Sequence, residues 1–276
     1  MGMLIQPDQK QDSGDFKAKL ENAIEKARKE NGSLDPETLF TKYHSGLSRE
    51  KIEEIRSQVH TAPKKAVETL AQELEKTITP EMQKDIKAVK TREQCVAEAA
   101  AAVPPEVMQR TVDYAEKLPE GALDPLFKYT NKDEDEVNKA LRKSSPPTPE
   151  EISRINAFSK LLENGPKYHG VCFRGCYFDS EAQAKRFVQD MIERPDGFKG
   201  FTSLSPDFAS ALYYAEKGAA HVIIVIPEST HGVYWGPYSS QPRDHETTLD
   251  YKIYLKGLAF CKKGDKLYVL AEEAER

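Results

Sequence analysis

The chain has 276 residues, 38% apolar and 31% charged, enough for one large domain or two modest ones and too polar for a membrane protein. With 40 basic and 45 acidic residues the formal charge is −5, which leaves no basic footprint for nucleic acid. The longest apolar runs, residues 99–103 and 222–226, fall far short of the roughly 20 residues that span a bilayer. Neither a membrane nor nucleic acid is an expected partner.

Residues 1–14 read as a polar, disordered leader without the apolar core of a cleavable secretory signal. Helix then follows helix. Phe16, Leu20, Ile24 and Ala27 recur at helical spacing. Ser48 is an N-cap followed by acids, and residues 66–74 carry a third apolar stripe. Thr79-Pro80 opens a fourth helix with proline where its missing N–H costs nothing. Pro104-Pro105 breaks the chain, residues 106–118 are helical again, and Ser144 to Glu151 form a turn and cap. The texture changes near residue 165. Residues 168–173, 221–227, 251–255 and 266–270 are β-branched or aromatic runs that predict strands, with helices over 180–192 and 206–217. Helices first and strands afterwards predict an α+β fold with a helical lobe packed on it. Cys95, Cys172, Cys176 and Cys261 form no CxxC pair, so reduced thiols and no metal site are expected.

Three polar features stand out. Val171-Cys172-Phe173-Arg174-Gly175 ends an apolar strand on an arginine whose planar fork suits a phosphate, with a glycine that lets a ligand approach the backbone. The bland alternative for Arg174 is a structural ion pair. Gly200-Phe201-Thr202-Ser203-Leu204-Ser205-Pro206 is a short strand with Ser203 and Ser205 on one face, and Ser205 also begins a helix. In the polar loop Tyr238 to Asp250, period two puts Glu246, Thr248 and Asp250 on one face, and Asp244 too if the strand begins early. A charged strand entrance is by itself ordinary solvated edge.

Together, in this order, the three resemble the arginine–serine–glutamate class of mono-ADP-ribosyltransferases, the cholera-toxin-like family of bacterial toxins and effectors. Its pattern is Arg-Gly on one strand, Phe-x-Ser-Thr-Ser on a second and Glu-x-Glu at the start of a third. Upstream, Leu126-Phe-Lys-Tyr129-Thr130 and Asn138-Lys-Ala-Leu141-Arg142 are similar to the helical segment preceding the family's first strand. The resemblance implies two packed, mainly antiparallel sheets with flanking helices over residues 105–276. The helical lobe over 15–104 lies outside the resemblance and would bind a target or chaperone or act as a buttress. The resemblance also implies NAD as co-substrate, no metal, and a protein acceptor from a host cell reached through a specialised secretion system.

The same resemblance assigns roles. Arg174 and Gly175 would contact NAD, with Ser203, Ser205 and Tyr214, although a tyrosine packed on the sheet is an equal reading of Tyr214. Glu246 would be the catalytic acid holding the ribose 2′-hydroxyl. Asp244 stands where the family has glutamate or glutamine to engage the acceptor, one methylene short, which leaves the acceptor type open. Counting back from Leu255-Lys256-Gly257 lands instead on Asp250, the rival acid. Two other readings are a fold-preserving binding protein acting through its helical lobe, and an enzyme that mainly hydrolyses NAD.

Overall fold

The computed structural model describes residues 13–131, 134–195 and 199–276. Among them ten helices precede the first strand: α1 (Ser13–Asn31), α2 (Pro36–Tyr43), α3 (Arg49–Gln58), α4 (Pro63–Thr77), α5 (Pro80–Lys87), α6 (Arg92–Ala101), α7 (Pro105–Glu116), α8 (Asp124–Thr130), α9 (Glu134–Arg142) and α10 (Pro149–Asn164). Then come β1 (Gly170–Phe178), α11 (Glu181–Glu193), β2 (Thr202–Leu204), α12 (Phe208–Ala215), β3 (Ala220–Ser229), β4 (Val233–Tyr234), β5 (Thr247–Leu249), β6 (Ile253–Lys263) and β7 (Lys266–Glu275). Residues 1–12 of the expected leader lie outside the described residues, and Ser13 and Gly14 already belong to α1.

The helix starts follow local chemistry. Ser48, Thr79, Thr91, Thr148 and Ser180 each accept a hydrogen bond from the first turn they cap, satisfying an orphan N–H. Thr91 with Gln94 and Thr148 with Glu151 complete reciprocal capping boxes. The last cap departs from expectation. Asp207, not Ser205, accepts from Ala209 and Ser210, so α12 begins at Phe208 rather than at 206.

Two sheets form. One has the order β1-β3-β7-β6, antiparallel except for the β3–β7 pair, and the other has the antiparallel order β2-β5-β4. The apolar run 222–226 is continuous because β3 lies inside the larger sheet and is buried on both faces. Val222, Ile224 and Ile226 join a core with α11, α1, α6 and α7, while Ile223 and Val225 join another with α3, α4 and α12. The amino-terminal helices thus share their cores with the sheet. A third core packs α8 and α10 around Phe158, Phe201 and Trp235. No described helix is long and apolar enough to cross a membrane.

One connection between the sheets matters for the site. Phe173 of β1 and Ser205, just beyond β2, exchange backbone hydrogen bonds of 2.7 and 2.8 Å. This bridge holds the middle of β1 against the end of β2, and so Arg174 beside Ser203.

Candidate active site

A pocket of about 730 Å³ opens where the two sheets meet, within the usual range for small-molecule sites. Arg174, Gly175, Ser203, Ser205, Tyr214, Asp244 and Glu246, separated by up to 72 positions in the chain, all line it. Asp250 does not.

The arginine sits in mid-strand rather than at a strand end, because β1 continues to Phe178. Its Nη1 donates to the carbonyl of Ser203 at 2.6 Å, which ties the guanidinium to β2. The expected reason for the adjoining glycine changes. A Cβ on Gly175 would stand 1.8 Å from the Ala211 carbonyl oxygen and 2.8 Å from the Ala215 nitrogen, so the residue lets α12 lie on β1.

Ser203 pairs across the sheet with Thr248, and both hydroxyls donate to the same oxygen of Glu246, Oε1, at 2.9 and 3.0 Å. Ser239 donates to Oε2 at 3.4 Å. Glu246 is only 5% exposed, so its orientation is set by these donors rather than by water. The Tyr129 hydroxyl lies 3.0 Å from Ser203 Oγ.

The segment before Glu246 is not a strand. A 3-10 turn, Pro242–Asp244, is followed by His245 in the left-handed region at φ 47°, and β5 begins only at Thr247. Asp244 is therefore not on the strand face with Glu246, and its Oδ2 accepts from the Tyr214 hydroxyl at 2.6 Å. Burial pushes the Asp244 carboxyl above its usual range, and the Tyr214 hydroxyl and the Lys217 ammonium offset only part of this. Tyr214 lines the pocket, with the Lys217 ammonium 3.6 Å from its ring centroid. Burial lowers the Lys217 pKa against the pull of Asp244.

Asp250 plays another part. Its Oδ1 accepts from the Lys252 backbone N–H at 2.9 Å, closing the turn that delays β6 to Ile253. Ser205 Oγ accepts from Asp207 N at 3.1 Å, a local turn rather than a helix cap.

Several residues were not singled out for the site by sequence reading: Tyr129, Lys217 and Arg243, which line the pocket, and Ser239 and Thr248, which hold Glu246. Two carried a signal. Tyr129-Thr130 lies in the upstream segment, and Thr248 shares the face of Glu246. That upstream segment has a structural explanation here. Thr130 Oγ1 accepts from Ser240 N at 2.8 Å, and the Asn138 side chain accepts from Phe201 N and donates to Phe201 O at 2.8 and 3.2 Å. Both residues thus hold the loops flanking the pocket.

No protein-family model matches the chain, and no curated protein matches it in sequence. Solved structures do. The C3 exoenzyme of Clostridium limosum superposes with a TM-score of 0.50 at 13% identity, over 68% of this chain and 97% of that one. The ADP-ribosyltransferase Vis of Vibrio splendidus, solved with an inhibitor, gives 0.50 at 13% identity over 68% of this chain and 88% of that one. The chain has the ADP-ribosyltransferase fold, as the sequence resemblance implied.

Proposed function

We propose that the protein is a mono-ADP-ribosyltransferase that transfers ADP-ribose from NAD to a side chain of another protein and releases nicotinamide. The observation that carries this reading is the convergence of Arg174, Ser203 and Glu246 in one pocket of an ADP-ribosyltransferase fold. The bond that breaks joins the nicotinamide nitrogen to ribose C1′, and the bonding pair leaves with nicotinamide. Positive charge develops on the ribose, as in glycoside cleavage, and a fixed carboxylate stabilises that charge more than it stabilises the ground state. Glu246 is the carboxylate held in the pocket by Ser203, Thr248 and Ser239, and it accepts a hydrogen bond from the ribose 2′-hydroxyl. Arg174 and Lys217, both lining the pocket, give the NAD diphosphate a cationic surface. The acceptor atom bonds to C1′ and gives up its proton to solvent.

The acceptor belongs to a host-cell protein, and the enzyme reaches it as a secreted effector. The helices before residue 105, packed into both cores of the larger sheet, serve first as a buttress. A second reading, mainly NAD hydrolysis, is favoured by Asp244, whose carboxylate is already engaged by Tyr214 in place of an acceptor.

Incubation with adenylate-labelled NAD and a cell lysate separates these readings. A labelled protein band with stoichiometric nicotinamide release supports transfer, and free ADP-ribose alone supports hydrolysis. Absence of both turnover and NAD binding overturns both.

A further inference from the structure

Two non-glycine residues among those described adopt a positive φ, Ser45 at 53° and His245 at 47°. They are 200 positions apart, yet both grip the start of α12. Ser45 Oγ donates to the Pro206 carbonyl at 3.1 Å and accepts from Phe208 N at 3.0 Å. His245 Nδ1 lies 3.4 Å from Asp207 Oδ2, an ion-pair distance without hydrogen-bond geometry. Asp207 is the cap of α12, holding Ala209 N, Ser210 N and Ser210 Oγ. The Ser210 hydroxyl also reaches the carbonyl of Arg243, on the same turn as His245.

A left-handed backbone at an L-residue persists only where its surroundings over-determine it, and such residues concentrate at functional sites. Histidine is among the side chains that tolerate the region best. Here the conformation turns the chain out of the 3-10 segment, so that the next residue, Glu246, points at Ser203. The same helix, α12, carries Tyr214, which holds Asp244 on the other flank of His245.

We propose that His245 is a positioning residue for the acid: its imidazole, seated on the Asp207 carboxylate, fixes the left-handed turn from which Glu246 enters the pocket. The proposal rests on the transferase reading only for its kinetic consequence. Burial alone would raise the Asp207 carboxyl, but the imidazole and Ser210 outweigh it and hold that carboxyl below its usual range, consistent with an attractive contact.

The test uses the full chain with His245→Gly, which relieves the backbone while deleting the ring, and Asp207→Asn, which keeps a good helix cap while deleting the charge. Amide exchange of residues 243–248 is expected to rise about tenfold in both. The kcat for NAD turnover is expected to fall about tenfold with the KM for NAD unchanged, and the double variant should be no worse than His245→Gly. Unchanged exchange in both variants overturns the proposal. So does raised exchange with kcat untouched. A wild-type chain that turns over no NAD overturns the transferase reading instead, while the exchange experiment still decides whether the ring holds the turn.

Discussion

The hydroxyl of Tyr129 and the Oγ of Ser203 lie 3.0 Å apart, and Glu246 decides which of them donates. An ionised carboxylate only accepts, so Ser203 donates its hydrogen bond to Glu246 and accepts one from Tyr129. The result is a directed chain from α8 through β2 to the acid. Tyr129→Phe removes its first link while keeping the ring against Phe158 and Phe201. NAD turnover is expected to fall about three- to tenfold, the worth of one hydrogen bond, with little change in Tm. Steady-state kinetics beside a thermal melt checks this.

The two candidate acids predict opposite outcomes. Glu246→Gln keeps the shape but removes the charge, and is expected to cost roughly 10²–10³ in kcat, the scale of losing one preorganised electrostatic group. Asp250→Asn retains an oxygen for Lys252 N and lies away from the pocket lining, so its turnover is expected to stay within about twofold of wild type. Nicotinamide release measured on both variants decides between them.

Gly175→Ala tests the contact between β1 and α12. The added methyl has no space against the Ala211 carbonyl, so strand or helix must move. Overpacking of this kind costs about 1–3 kcal/mol and here displaces Arg174 as well. Lower Tm together with weaker NAD binding is the expected pair of results, and a variant as stable as wild type would contradict the packing argument.

Asp244 links the pocket to pH. Its carboxyl titrates above the unfolded value because burial disfavours the charge. The folded state therefore holds this proton more tightly, a contribution fully present below the unfolded aspartate pKa of about 3.9 and lost as pH rises through the folded value. At neutral pH the ionised group works against folding. Asp244→Asn, which still offers an oxygen to Tyr214, is expected to melt higher than wild type at pH 7, with the advantage vanishing below about pH 4. Melting curves across that range measure it.

Much of this was legible before the fold. Caps at Ser48, Thr79 and Thr148, prolines at first helical positions and the doubly buried run 222–226 are local signals, and local signals survive folding. Strand limits near the site were not legible. β1 runs on past Gly175 because it has β3 to pair with, and β6 starts late because Asp250 folds the turn before it.

The sequence by itself determined which residue types the pocket would need, because Arg174-Gly175, the Ser203 segment and the acids around Glu246 are read from chemistry and order. Only the tertiary structure decided which acid faces the pocket and what the others do. Period two placed Glu246 and Asp250 on one face, with Asp244 there too if the strand began early, but that rule holds only inside a strand. Here a left-handed residue and a three-residue strand separate them, sending Asp244 to Tyr214, Glu246 to Ser203 and Asp250 to its own turn. The turn that carries Asp244 and His245 lies against α12 and its cap, about 30–40 residues away in sequence and in direct contact in space.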